Sequence, residues 1–317
     1  MVTNEIRRLI SDLGLESSTR FDEPMAAHTT FRVGGPADAF FRPEGMGAVA
    51  DISAVLKAFR SRGLPVFILG GGANIVVSDA GIRGLVLDMR GWSGCEFDQG
   101  HPETPTSPTS VYARAGTSVD ELVDECARRK LGGPEFLAGM PGTVGGALWM
   151  NARCYGSSVS DILVETDILD EDAEFVRIAF DPADFGYKHS PFQKGGVLIL
   201  GARFRLKMTD GTAIRSECLR LRADREAKGH YRYPSAGSIF KNDHAYGKPS
   251  GKIIDEIGLR GSALGGASVA SWHGNIIINT GGARASDIRA LVEFVADRVR
   301  KEIGLVLEPE ILFVGEW

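Results

Sequence analysis

The chain has 317 residues, 43% of them hydrophobic and 24% charged, and a net charge of −5 at pH 7. That length exceeds the roughly 250–300 residues one core can fill, so two or three domains are expected. The balance is that of a soluble globular protein, and without a basic run it argues against nucleic acid as a partner. No stretch approaches the roughly 20 apolar residues of a membrane helix, and the N-terminus lacks the apolar core of a signal peptide. Cys95, Cys126, Cys154 and Cys218 are scattered without metal-ligand spacing, so they read as reduced thiols of a cytoplasmic protein that binds no metal.

Ile6, Leu9, Ile10 and Leu13 form one apolar stripe, predicting a first helix that ends at Gly14. A short strand follows at Ala39–Phe41, then a helix on which Ile52, Val55, Leu56 and Phe59 share a face. Val66–Leu69 reads as a buried strand and leads into Gly70, Gly71, Gly72, Ala73 and Asn74. A Rossmann dinucleotide turn would open a helix at this point. Ile75, Val76 and Val77 are β-branched and poor helix formers, so a loop between strands is expected instead. Such a loop is either a tight turn or an anion cradle made of backbone amides. A turn at Asp79–Gly84 and a strand at Leu85–Met89 close a first unit near Trp92.

Residues 98–110, rich in Pro, Thr and Ser, predict an exposed hairpin loop. After a strand at Val111–Ala115, Ser118 and Glu121 make a capping-box pattern for a helix through Leu131. A second glycine-dense stretch follows, GGPEFLAGMPGTVGGALWMNARCYG. Strands at Ile162–Leu169, Phe175–Phe180 and Val197–Lys207 suggest an antiparallel sheet ending near residue 209. The last third holds a helix around Ser216–Lys228, the loop YPSAGSIFKND and a short helix SGKIIDEIG. A strand at Asn275–Asn279 then leads to a long helix with Ser286 as its N-cap. The closing LVLEPEILFVG reads as a strand with Glu308 and Glu310 on one face. Helices mixed with mainly antiparallel strands define an α+β class, with boundaries expected at 1–92, 93–209 and 210–317.

Few residues declare chemistry by pattern. MPGTVGGA, Met140–Ala147, is either a packing turn or one wall of a crevice shared with the Gly70 loop. Neither loop has a P-loop lysine-serine pair, so no ATP site is indicated. Ser238 is by default a turn hydroxyl; no triad spacing or G-x-S-x-G surrounds it. Lys248 and Lys252 flank a helix start at Ser250, as an anion site or as two solvated lysines. Glu310 is an acid in an apolar strand, at an edge or in a cleft. Tyr187, Lys188, Ser190 and Phe192 form a polar–aromatic turn.

HTTFRVGGPAD, ILGGGANIVVSD, AGMPGTVGGALWMNA, FGYKHSPF, YPSAGSIFKN, SGKIIDEIGL and LEPE occur in this order across residues 28–310. In these motifs the chain resembles the UDP-N-acetylenolpyruvoylglucosamine reductase family, in its compact type II branch. The resemblance implies an FAD-binding region in two parts, of the vanillyl-alcohol-oxidase-like type, and a C-terminal α+β substrate domain. It implies reduction of UDP-N-acetylglucosamine enolpyruvate to UDP-N-acetylmuramate for peptidoglycan, with non-covalent FAD, NADPH as hydride donor, and a monomer. Arg32, Gly70, Gly71, Gly72, Ala73, Asn74, Gly139, Pro141, Gly142, Thr143, Gly145 and Gly146 would line FAD, with backbone amides facing its pyrophosphate. Ser238 would deliver the proton to C2, Glu310 would assist at the enolic carboxylate, and Tyr187, Asn242 and Lys252 would hold substrate. Lys188 stands where the family motif carries arginine; a mobile point charge replaces a rigid fork at a carboxylate. The alternatives are another FAD-dependent oxidase or dehydrogenase of the same cofactor fold, which would not need PSAGSIFKN or LEPE, and an inactive flavin or sugar-nucleotide binder.

Overall fold

The β-branched run after the first glycines decides the local architecture: Ile75–Val77 is a strand and no helix opens there. The structure, a computed structural model, describes residues 2–45, 47–98 and 109–317. The predicted hairpin loop therefore lies, from 99 to 108, outside the described residues. Contacts divide the chain into two units that do not follow the expected boundaries. One gathers Met1–Arg20, Ala39–Gly71 and Gly84–Ala223; the other gathers Phe21–Asp38, Gly72–Arg83 and Asp224–Trp317.

In the first unit, Val66–Leu69 runs parallel to Leu85–Asp88 as the outer strand of a four-stranded sheet. The helix Ala48–Arg60 buries Ile52, Val55, Leu56 and Phe59, as its spacing predicts. A six-stranded sheet is built on antiparallel pairing of Leu163–Leu169 with Phe175–Ala179 and with Leu198–Met208. The paired strands Val66–Leu69 and Leu85–Asp88 fall in the same unit as the six-stranded sheet, and polar side chains bridge the expected boundary at 92. The Trp92 indole donates to the Leu200 carbonyl at 2.9 Å, and Arg60 donates to the carbonyls of Asp170 and Glu171 at 2.8 and 2.7 Å. The boundary expected at 209 is crossed in the same way. Arg222 reaches Asp120 and Asp124, both at 2.7 Å, which holds most of the helix Gly211–Ala227 to this unit. The predicted helix after Ser118 is shorter than expected. It spans Val119–Arg128, Lys130 takes a left-handed φ of 59°, and Leu131–Gly132 pairs as a strand with Lys207 and Met208.

In the second unit, Ile75–Val77 runs parallel to Leu312–Val314, so a segment from the first third of the chain folds with the last. Phe31, Val33 and Val76 share a core with Ile288, Leu291 and Val295 of the helix Ala285–Ile303. Ser286 is not that helix's N-cap. Arg284 holds the cap position, and the Asp79 carboxylate accepts from the amides of Ala285 and Ser286 at 2.8 and 3.0 Å. The closing strand is confined to Leu312–Val314, so the alternation expected of Glu308 and Glu310 does not apply. Pro309 between them lacks a donor and restricts its neighbour, which ends regular pairing.

Candidate functional site

Within the first unit the two glycine stretches meet. A Cβ on Gly71 would stand 2.6 Å from the Gly142 Cα, and one on Gly70 would stand 2.5 Å from the Thr143 hydroxyl. Here the two backbones touch where any side chain would part them. The second stretch has turned its donors inward. The Gly139 amide donates to Asp120 at 2.8 Å, and those of Val144 and Gly145 donate to the carbonyls of Thr117 and Ala115, both at 2.9 Å. Thr143 caps the helix Val144–Trp149 by accepting from Gly146 at 3.4 Å, while Pro141 and Gly146 are exposed. The Gly71 amide, by contrast, donates to no acceptor among the described residues.

Tyr187 and Lys188 form the tip of a tight turn in the same unit, where Gly186 and His189 exchange backbone hydrogen bonds of 3.1 and 3.2 Å. Lys188 has φ +57°, a left-handed conformation that costs a lysine energy and persists only where its surroundings impose it. Those surroundings are the end of the helix Val144–Trp149. Ser190 and Gln193 both donate to the Trp149 carbonyl, at 2.7 and 2.8 Å, Gln193 also donates to the Lys188 carbonyl at 3.0 Å, and Asn151 donates to Gly186 at 2.8 Å. Tyr187 is exposed and Lys188 half-buried. Sequence reasoning singles out neither Asn151 nor Gln193. Asn151 carries the one available signal, an asparagine just past a helix, and it takes φ +41° there.

The second unit holds the rest. Gly72 has φ +61°, and its Cβ would lie 2.0 Å from the His28 carbonyl oxygen. The amides of Gly72 and Ala73 donate to no acceptor among the described residues. Asn74 donates from Nδ2 to the Glu310 carbonyl at 3.0 Å, and the Glu310 amide donates to Ile239, next to Ser238, at 2.7 Å. The end of the glycine loop, Glu310 and the Ser238 segment are thus joined by backbone bonds within one unit. Ser238 and Glu310 are half-buried. Glu308 stands apart: it is exposed and pairs with Lys241 at 2.5 Å. Asn242 accepts from the Ser250 amide at 2.8 Å, which fixes it to the start of the helix Ser250–Glu256, where Lys252 is exposed. Lys248 pairs with Glu256 at 2.6 Å, an exposed ion pair. Arg32 is exposed, in a left-handed conformation with φ +56°.

A groove of about 320 Å³ on the six-stranded sheet contains none of these residues. Its charges are of both signs and pair with one another, Arg177 donating to Asp167 at 2.7 Å and Arg203 forming an ion pair with Asp98. The four cysteines are free thiols, and burial pushes Cys95 up to about 12. No helix among the described residues is long and apolar enough to cross a membrane.

Residues 38–179 match the family model described as FAD binding domain, and residues 229–314 match UDP-N-acetylenolpyruvoylglucosamine reductase, C-terminal domain. Together the two matches bear out the expected class, an α+β flavoprotein with a C-terminal domain. Curated UDP-N-acetylenolpyruvoylglucosamine reductases from Treponema denticola and Agathobacter rectalis are 39% and 38% identical to it. Those alignments cover 95% and 93% of this chain and 95% and 94% of the relatives. The crystal structure of UDP-N-acetylenolpyruvylglucosamine reductase from Thermus caldophilus is similar with a TM-score of 0.73 at 31% identity, covering 93% of this chain and all of that one. The chain belongs to the UDP-N-acetylenolpyruvoylglucosamine reductase family.

Proposed function

We propose that this protein reduces UDP-N-acetylglucosamine enolpyruvate to UDP-N-acetylmuramate, a step in peptidoglycan precursor synthesis, with FAD as cofactor and NADPH as donor. The observation that carries the reading is the Asn74–Glu310–Ile239 linkage, which joins the glycine loop to both candidate acid residues. The glycine stretches fit FAD. Gly71, Gly72 and Ala73 offer amides that no protein acceptor among the described residues uses, suited to the two negative charges of a pyrophosphate. Gly142, Gly145 and Gly146 contribute the absence of side chains more than donors, since the Gly145 and Gly146 amides are already bonded. Arg32, Asn74, Gly70, Gly139, Pro141 and Thr143 complete the proposed FAD set.

FAD held by these residues would supply the two-electron chemistry between the nicotinamide and C3 of the vinyl ether. The other bond made is C2–H. Ser238 holds that proton, gives it to C2, and is reprotonated from solvent. Charge that develops at C2 spreads onto the substrate carboxylate, where Lys188 stabilises it as a cation and Glu310 as a hydrogen-bonding partner. Lys188 sits on a turn whose backbone is fixed by Asn151 and Gln193, which sets the point from which its side chain extends. Tyr187, Asn242 and Lys252 hold substrate oxygens, with Asn242 tied to the start of a helix by the Ser250 amide. That one chain carries every residue assigned supports a monomer, and water-soluble nucleotide substrates support a cytoplasmic reaction.

The test is NADPH oxidation that depends on added UDP-N-acetylglucosamine enolpyruvate; flavin-loaded protein lacking that dependence would sink the reading. In Ser238→Ala, flavin reduction by NADPH should survive while reoxidation by the enolpyruvyl substrate collapses. Lys188→Ala should slow reoxidation at least about tenfold, roughly 1.4 kcal/mol of transition-state stabilisation. An unchanged rate there would remove Lys188 from the site.

A further inference from the structure

We infer that Asn275 is the positioning residue for Ser238, fixing the serine by clamping the backbone that follows it. This rests on Ser238 as the proton donor. Asn275 is 1% exposed, and its side chain behaves as an extra piece of strand. Its Oδ1 accepts from the Phe240 amide at 2.8 Å, and its Nδ2 donates to the Phe240 carbonyl at 2.8 Å. Its own carbonyl accepts from the Ile239 amide at 3.0 Å. One buried residue thus makes three hydrogen bonds to the two residues after Ser238. Only a carboxamide can both accept and donate across that span; aspartate accepts alone and leucine does neither.

The far side of the segment is held too, by the Glu310 amide on the Ile239 carbonyl at 2.7 Å and the Lys241 amide on the Glu308 carbonyl at 2.9 Å. Ser238 is the first residue beyond this double clamp, bridged to Ile276, the neighbour of Asn275. On its other side stands Gly237, at φ +71° with open space where a Cβ would be. A glycine there leaves the chain permissive before Ser238. The position of the serine is therefore set from its C-terminal side, where Asn275 acts. Asn275 is itself anchored, its amide donating to His273 Nδ1 at 3.1 Å. That bond needs an unprotonated Nδ1; burial, with Arg260 adding to it, lowers the His273 pKa and favours the neutral ring. A donor displaced by about 1 Å can cost on the order of a hundredfold in rate, so loss of the clamp should register in the proton step.

The experiment measures flavin reduction by NADPH and flavin reoxidation by the enolpyruvyl substrate separately in full-length, FAD-loaded protein. The variants are Ser238→Ala, Asn275→Ala, Asn275→Asp and the Ser238→Ala/Asn275→Asp double, each with its Tm and the hydrogen exchange of the Phe240 amide. Asn275→Asp keeps the volume and the acceptor, and it decides the outcome if Asn275→Ala does not fold. Reduction should stay within about twofold of wild type, and the double variant should lose no more than Ser238→Ala, because the two residues act as one unit. Reoxidation should fall about tenfold to a hundredfold. Reoxidation at the wild-type rate in Asn275→Asp, with Ser238→Ala inactive and Tm lowered, makes Asn275 merely structural and overturns the inference. Equal losses in both half-reactions overturn it as well. If Ser238→Ala itself reoxidises at the wild-type rate, the reading of Ser238 fails and takes the inference with it.

Discussion

The two glycine stretches look interchangeable in sequence and differ in what their backbones do. Around Gly139–Gly146 the amides of Gly139, Val144, Gly145 and Gly146 all have protein acceptors. Around Gly70–Asn74 the amides of Gly71, Gly72 and Ala73 have none among the described residues. Yet Gly70 and Gly71 are pressed against Gly142 and Thr143 so closely that no Cβ fits. The same residue type thus does two jobs: it leaves donors available in one stretch, and in the other it removes bulk from a wall whose donors are already engaged. Glycine content alone would assign pyrophosphate binding to both.

Gly71→Ala breaks the comparison most severely. Its Cβ would fall 2.6 Å from backbone, which cannot shift as a side chain tip can. Overpacking of this kind costs about 1–3 kcal/mol, and the distortion falls on the proposed donors. The purified variant should lose its bound flavin, read as the ratio of visible to ultraviolet absorbance. Gly72→Ala should do the same through the His28 carbonyl, 2.0 Å from its Cβ, and through its left-handed φ. Full flavin content in both would show that the available amides do not hold the cofactor.

Asp79→Ala tests how the first stretch is anchored beyond its strand. The carboxylate caps the helix Ala285–Ile303 in place of a local residue, and losing such a cap costs about 1–2 kcal/mol. The group also makes stability pH-dependent. Burial by itself would raise its pKa, but the Ser286 hydroxyl and the amides of Ser286 and Ala285 outweigh it, so the folded pKa lies below the ordinary 3.8. A depressed carboxylate stabilises the fold above its unfolded pKa, and that stability is lost as pH falls through the folded value. Melting curves should therefore show wild type and Asp79→Ala converging in acid and separated at neutral pH. A constant gap would mean the carboxylate contributes only through its shape.

Much of this was legible because it is local. The Val66–Leu69 strand, the helix over Ile52–Phe59 and the refusal of Ile75–Val77 to form a helix follow from period and branching. The misreadings share a cause in distance. The cap of the last helix lies 206 residues upstream, so Ser286 was the best local candidate. Leu131 suits the helix stripe as well as the short strand it joins, and only Lys207 and Met208 decide between them. Segments 21–38 and 72–83 fold with the C-terminal third through a parallel pairing that no short window contains. At the site, Ser238 and Glu310 carry no pattern that separates them from a turn serine and an edge acid. Motif resemblance named them, and the backbone bonds show them to be neighbours. Asn275 has no signal of its own, since a buried asparagine is recognisable only once its partners are placed.

Gly146→Ala has the smallest expected effect and separates the two jobs of glycine most cleanly. Gly146 is exposed on the helix Val144–Trp149, and an added Cβ would meet only the Thr143 hydroxyl, at an ordinary 3.6 Å. Nothing in the protein requires glycine there, and alanine should stabilise the helix by about 0.5–1 kcal/mol through reduced backbone entropy. The Tm of flavin-free protein should rise by about 1–4 °C. If the exposed face of this helix is left bare for the cofactor, the same substitution must weaken flavin binding while it strengthens the fold. A rise in Tm together with a rise in the FAD dissociation constant would show the glycine serving the ligand against the interest of the fold. A rise in Tm with flavin binding unchanged would take Gly146 out of the cofactor wall and leave Gly139, Pro141, Gly142, Thr143 and Gly145 as the proposed contribution of the second stretch.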